Sequence, residues 1–372
     1  MEKPHQLTDS EKELLTVIGK YPEMSMKELL NHTTYKWVST VVKKLEKLKE
    51  QQILYGPVYD INYGSLCRNP LHKLVCILEF TQDYETVTEY LKLIESIIWT
   101  FPVLSSHKKV LNAGFISSND EEVRDLLQLL KDNDIISDFI IHVCSSKRMV
   151  ENPHFSGDFN PSLDNLLDLC DLPDISFGYH DTDWSECDIR ILPYLRRGAK
   201  LMEILKDERR VHHRIWTYEQ IRYSYEKMVE NKLIEKKYIY RPFPCNQCAH
   251  FDLFFKTEHK KLTLRILCNF AKGARIYKEY MLFDQWGMLV CISHPVFLTN
   301  LMHKLDQVDE IKEKEVYQAR SNSRVYSFGQ PLETKYFDFD AQTLEYPYYV
   351  YEEKIKEKLE SERQESELEL FT

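Results

Sequence analysis

The sequence predicts an α+β chain in which winged helix-turn-helix heads alternate with two ferredoxin-like β-α-β-β-α-β domains, as a tandem duplication. Three observations carry this. Apolar residues recur at helical spacing in a short three-helix run at the start. Strand-like and helix-like runs then follow in the order β-α-β-β-α-β. Finally, Trp37–Asp60 can be laid over Thr217–Tyr240 at a constant offset, which puts Val41 on Ile221, Glu46-Lys47-Leu48 on Glu226-Lys227-Met228 and Ile53-Leu54 on Leu233-Ile234. Self-similarity at such a period is the mark of a repeat.

The first head occupies 1–63. Thr8 is placed as an N-cap before Asp9, Ser10 and Glu11, and Leu14, Leu15, Val17 and Ile18 follow at helical spacing. Ser25 caps a short second helix carrying Met26, Leu29 and Leu30. A third helix, from about Lys36 to Gln52, sets Val38, Val41, Leu45 and Leu48 on one face and Lys36, Lys43, Lys44 and Lys47 on the other. Ile53–Ile61, interrupted by Gly56-Pro57, reads as a two-stranded wing. The first ferredoxin-like domain, 72–150, is built from a strand Lys73–Phe80, a helix Tyr84–Trp99, strands Val103–Leu111 and Gly114–Ser118, a helix Glu121–Lys131 and a strand Ile135–Cys144.

Residues 151–182 read as an acidic linker. From Glu151 to Ile189 there are ten acids and no Lys or Arg, which matches the whole net charge of -10, so the rest of the chain is balanced and can carry basic faces. A second winged-helix-like domain (183–243) and a second ferredoxin-like domain (248–321) repeat the order of parts. The tail, 322–372, is expected to be partly helical or disordered and has no partner in the first half.

With 43% hydrophobic and 29% charged residues, the chain is excluded from the disordered and membrane classes. No apolar run approaches the roughly 18 residues of a membrane span, and the start is polar. A cytoplasmic location is expected, with the nine cysteines as reduced thiols. There is no Gly-rich phosphate loop, H-E-x-x-H or nucleophile elbow, so the reading is not an enzyme.

A three-helix head with a basic third helix, ahead of a ferredoxin-like domain, resembles the Lrp/AsnC transcriptional regulators. Glu28-Leu29-Leu30, Thr40-Val41, Lys43-Lys44, Leu48 and Ile53-Leu54 fill the places of the family's helix-turn-helix, while Gln52 replaces a Gly and Trp37 stands where a cap Ser is common. The resemblance implies a sequence-specific DNA-binding transcriptional regulator with double-stranded DNA as partner. Asn112-Ala113-Gly114 and Asp284-Gln285-Trp286-Gly287 only approximate the family's effector turn, which leaves a small-molecule effector unassigned. Pairing of the two ferredoxin-like domains would give an intramolecular pseudo-dimer, holding two heads for half-sites about 34 Å apart; a homodimer is the further option.

Reading DNA requires short polar side chains at the start of a groove-entering helix and cations beside it for phosphate. Lys36, Trp37, Ser39, Thr40 and Lys43 are placed toward the groove, and Lys44 and Lys47 toward the backbone. The alternative is an ordinary solvated basic face. In the second head, Arg214 and Arg222 are the candidates, among interspersed acids. Cys245 and Cys248 have the C-x-x-C spacing that suits one metal or a small disulfide; no cofactor is expected, with zinc at this pair as the alternative. Two other functions stay open. One is a protein-protein adaptor. The other follows from siroheme decarboxylases, which resemble these regulators, and would use His107, His142, His294 or His303 toward a tetrapyrrole.

Overall fold

A computed structural model describes residues 7–212, 216–320 and 327–370. The chain opens with α1 (Asp9–Lys20), α2 (Met26–Leu29) and α3 (Val38–Glu50), then β1 (Leu54–Ile61) and a short α4 (Tyr63–Leu66). Next come β2 (His72–Phe80), α5 (Tyr84–Lys92), β3 (Ile97–Val103), β4 (Lys109–Ser117), α6 (Asp120–Asp132), β5 (Asp138–Val143) and β6 (Met149–Glu151). Three further helices, α7 (Glu186–Arg196), α8 (Leu201–Val211) and α9 (Tyr218–Glu230), lead to β7 (Ile234–Tyr240). Then follow β8 (Ala249–Lys256), α10 (Lys260–Asn269), β9 (Tyr277–Phe283), β10 (Trp286–Ser293), α11 (Pro295–Asp306) and β11 (Glu313–Gln318). The tail holds β12 (Phe328–Gly329), β13 (Phe337–Asp338), β14 (Thr343–Leu344) and α12 (Tyr348–Leu370).

Two compact units result, each discontinuous in sequence. The first comprises Met1–Asn62, Ser145–Phe177 and Tyr194–Gln318; the second comprises Tyr63–Cys144, Gly178–Pro193 and Ala319–Thr372.

In the first unit, α1 starts where Thr8 and Glu11 close a capping box, and α2 where Ser25 and Glu28 close another. Leu14, Leu15, Ile18, Leu29, Val41, Leu45, Leu48 and Ile53 form the buried centre of the head. Helix α3 ends at Glu50 with Gln51 as its C-cap; Gln52 then adopts φ 59°, and Ile53 N–H closes back on Leu48 O at 2.9 Å. Lys232, which the internal alignment places on Gln52, has φ 54°, with Leu233 N–H on Met228 O at 2.9 Å.

The expected wing is not a hairpin. Residues 54–61 are one strand, which pairs antiparallel with β7 from Leu54↔Tyr240 to Ile61↔Ile234, with a bulge between Tyr55 and Val58. Gly56, at φ 105°, lies in that bulge. A strand that finds its hydrogen-bond partners in β7 has no need of a second arm of its own.

The first unit's five-stranded sheet has the order β11-β8-β10-β9-β6, and the second unit's has β12-β3-β4-β2-β5. Without β6 and β12, both are the four-stranded sheet of a β-α-β-β-α-β domain. In the first, Phe251, Leu253, Phe255 and Leu289 pack against Leu264 and Leu267 of α10 and Phe297 and Leu301 of α11.

Residues 151–182 are more than a connection. Glu151 ends β6, and Leu163, Leu166 and Ile175 are buried in the first unit's sheet core. Asn269 Nδ2 donates to Leu166 O (3.2 Å) and Asp168 O (2.8 Å). The acids from Asp158 to Asp181 stay outside while Leu163, Leu166 and Ile175 go in. Further along, Trp184 is buried in the second unit, with Nε1–H on Ser65 O at 3.1 Å.

In the second unit, the expected helix Tyr84–Trp99 is split. Helix α5 stops at Lys92 and Ile97–Val103 is a strand. Ile94 and Ile98 continue the helical stripe, but the β-branched and aromatic run they introduce pairs with β4. The effector-turn candidate Asn112-Ala113-Gly114 lies inside β4 and not in a turn, with Trp99 of β3 covering Gly114. The tail is largely ordered: α12 buries Tyr351 and Ile355, and Tyr90 Oη donates to Glu362 at 2.6 Å.

Candidate nucleic-acid interface

Helix α3 buries Val41, Leu45 and Leu48, and this fixes what it turns outward. Ser39, Val42, Lys43, Glu46 and Lys47 are exposed along it, Lys36 and Trp37 are exposed just before it, and Thr40 is half-buried. Val38, predicted for the inner face, is instead exposed. Trp37 is the N-cap and is 71% exposed; its side chain makes no cap hydrogen bond, and its carbonyl accepts Thr40 N–H at 3.0 Å. Lys36, Lys43 and Lys47 have no acidic partner among the described residues.

Lys44 departs from its predicted role. Its Nζ lies 3.0 Å from Oε1 of Glu11, whose side chain is 1% exposed. This lysine neutralises a buried carboxylate of α1, a tie that Lys36, Lys43 and Lys47 lack among the described residues. Sequence spacing alone set Lys44 beside Lys47, toward the DNA backbone. The signal that separates them is Glu11, the N3 residue of the α1 capping box, one turn ahead of the buried Leu14 and Leu15.

Burial pushes the Glu11 carboxyl up, but hydrogen bonds from Thr8 and the Lys44 ammonium outweigh it, leaving the group at about 2 against an ordinary value of 4.5. A carboxyl depressed in the folded state contributes stability above its unfolded value and loses it as pH falls through the folded one. The amides of α1 and α3 are therefore expected to lose hydrogen-exchange protection between pH 4.5 and about 2. Glu11→Gln should be less protected at neutral pH and flatter across that window. Equal pH profiles for the two proteins would remove Glu11 from this role.

The second head presents a different surface. On α9, Ile221, Ser224 and Met228 are buried, while Glu219, Arg222, Tyr223, Glu226 and Glu230 are exposed. Arg222 is taken by Glu226 (Nε to Oε1 2.8 Å). Arg214 lies outside the described residues. The internal alignment sets Tyr223 where the first head has Lys43 and Glu219 where it has Ser39, so the basic outer face belongs to α3.

Cys245 and Cys248 flank a 3-10 turn (Cys245–Gln247), with Cys245 exposed and Cys248 donating its thiol to Phe243 O at 3.2 Å. Burial pushes the Cys248 thiol up to about 11. Among the described residues no third Cys, His, Asp or Glu completes a metal-holding group with them. Of the histidines, His142 is buried on β5, His107 and His303 are exposed, and His294 caps α11 by accepting Val296 N–H at 3.3 Å. The rings of Phe159 and Phe243 pack on His294 at 5.2 and 5.3 Å.

No helix among the described residues is long and apolar enough to cross a membrane. No family model and no curated protein matches the chain. Among solved structures, the siroheme decarboxylase NirDL is similar over 94% of this chain and 98% of its own, with a TM-score of 0.50 at 12% identity. The same enzyme in complex with an iron-uroporphyrin III analogue is similar over 90% and 96%, with a TM-score of 0.50 at 11% identity. AsnC of E. coli is matched over 37% of this chain and 92% of its own, with a TM-score of 0.28 at 14% identity. At these identities the full-length likeness is one of fold, and the fold is the mixed helix-and-sheet one shared with NirDL.

Proposed function

We propose that this chain is a sequence-specific DNA-binding regulator that reads duplex DNA through α3 of the first head. The observation that carries it is the exposed row of Lys36, Lys43 and Lys47 beside Ser39 and Trp37, unneutralised among the described residues, on a helix whose inner face is fully committed to the core. Such a helix offers cations to phosphate and short polar groups to base edges. The halves are copies of one unit, a reading supported by the like order of the two sheets and the matching left-handed residues Gln52 and Lys232. The chain acts in the cytoplasm.

The test is fluorescence anisotropy of the full chain against a pool of duplexes at two salt concentrations. Each phosphate contact contributes about 0.9 to the slope of log affinity against log salt. Lys43→Ala with Lys47→Ala should therefore flatten the slope by about 2, whereas Arg222→Ala should leave it unchanged. Binding that is indifferent to the lysine pair would sink the reading.

A second reading, an enzyme acting on a tetrapyrrole, is favoured by the length over which the fold follows NirDL. A visible-absorption titration with an iron uroporphyrin separates the two. A saturable band shift in a protein that leaves DNA unbound would select the enzyme.

A further inference from the structure

We infer that Cys245 and Cys248 form a redox-modifiable dithiol site that exchanges with small-molecule disulfides. The inference goes beyond the DNA reading and does not depend on it.

The geometry of the turn carries it. Cys248 N–H donates to Cys245 O at 3.3 Å, and Gln247 N–H to Pro244 O at 2.7 Å. A chain reversal closed by such an i to i+3 hydrogen bond brings its end Cα atoms within about 7 Å, which overlaps the window of about 4.4–6.8 Å that a disulfide requires. Cys245 opens the 3-10 turn Cys245–Gln247 and Cys248 follows it directly as its C-cap, so the two cysteines stand at the two ends of a single turn. The two thiols differ in access: Cys245 is exposed, while Cys248 is half-buried with its S–H on Phe243 O. One sulfur can meet a reagent in solution, and the other waits behind it.

The surroundings are cationic and fixed. Arg275 lies over the Phe243 ring at 4.4 Å and donates from Nε to Pro242 O at 2.9 Å. Arg241 lies over Tyr55 at 4.9 Å and donates from Nη1 to Gln52 at 2.9 Å. Burial holds the proton on the Cys248 sulfur, and the two guanidiniums offset only part of that, so Cys248 stays a thiol until a mixed disulfide is formed beside it. With no third ligand gathered among the described residues, the pair lacks what a structural metal needs.

In the first step the Cys245 thiolate attacks one sulfur of a disulfide R–S–S–R. The S–S bond breaks, a mixed disulfide forms at Cys245, and one RS⁻ leaves. Cys248 then gives its proton to solvent and attacks the Cys245 sulfur, forming the Cys245–Cys248 bond and releasing the second RS⁻. Two electrons pass from the protein thiols to the reagent, which ends as two thiols after protonation. The new bond withdraws the Cys248 S–H from Phe243 O and ties the turn between β7 and β8.

The experiment equilibrates the full chain with oxidised and reduced glutathione at a series of ratios, quenches with acid, alkylates, and maps each cysteine by mass. Cys245 and Cys248 should lose alkylation together, their peptide should lose two hydrogens, and Cys248→Ser should hold glutathione stably on Cys245. Cys245→Ser should leave Cys248 unmodified. A wild-type chain that keeps glutathione on Cys245 without closing the ring would overturn the inference. So would a pair that stays alkylatable at ratios that oxidise the half-buried Cys170 and Cys268.

Discussion

Replacing Lys278 by methionine is expected to cost about 3–5 kcal/mol in the first unit, the range seen when a buried ion pair loses one partner. Lys278 is the second residue of β9, and its side chain is 2% exposed. The ammonium donates to the carbonyls of Leu267 (3.1 Å), Cys268 (3.2 Å) and Phe270 (2.8 Å) and lies 2.8 Å from a carboxylate oxygen of Glu151. Those carbonyls belong to the end of α10, where the last turn has no helical partners and carries the negative end of the helix dipole. One cation therefore caps α10 and fixes β6 through Glu151. Methionine fills a similar volume and keeps the apolar stem, so the loss isolates the charge and its hydrogen bonds. Hydrogen exchange of the α10 and β9 amides should quicken by at least about a hundredfold, since each 1.4 kcal/mol is about a factor of ten. Unchanged protection would show that the carbonyls are satisfied without the lysine.

Lys278 also shows which parts of this molecule a sequence can display. Local patterns were legible. The Thr8 and Ser25 caps, the Val41, Leu45 and Leu48 stripe and the β-α-β-β-α-β order rest on neighbours in sequence. What depended on distant partners was hidden. Ile53–Ile61 had the composition of a hairpin, but its strand pairs with residues 234–240. The edge strands β6 and β12, three and two residues long, are too short for any periodicity to register. The ten acids of 151–188 pointed to a solvated connection, while Leu163, Leu166 and Ile175 among them fill a core.

The candidate interface divides in the same way. That α3 carries lysines opposite an apolar stripe was readable from spacing. That Lys44 belongs to Glu11 was not, because that ion pair joins two helices and is decided by side-chain reach after they have packed, whereas Arg222 and Glu226 stand four apart on one helix and are neighbours by spacing alone. The burial of the lysine inside Tyr277-Lys278-Glu279-Tyr280 was not readable either, since alternation cannot tell a wet face from one that meets a helix end.

Arg148→Met is expected to destabilise the first unit by a similar amount, about 3–5 kcal/mol, and to do so through two carboxylates at once. Arg148 immediately precedes β6. Its Nε donates to Asp60 Oδ2 at 3.0 Å and its Nη1 to Glu279 Oε2 at 2.9 Å, with the Arg148 side chain 18% exposed. Tyr277 Oη adds a hydrogen bond to Glu279 Oε1 at 2.6 Å. A guanidinium can serve both acids because it is planar with several fixed donors, which an ammonium or a methionine cannot reproduce. Its removal leaves Glu279 on β9 and Asp60 on β1 without their shared cation, so the strand of the first head and the edge of the sheet lose the same tie. The coupling identifies the cause. Adding Glu279→Gln and Asp60→Asn to Arg148→Met should recover part of the loss, because residues in one ion network are not additive. If the triple variant were no more stable than Arg148→Met alone, the cost would come from lost packing of the arginine stem and not from unpaired carboxylates.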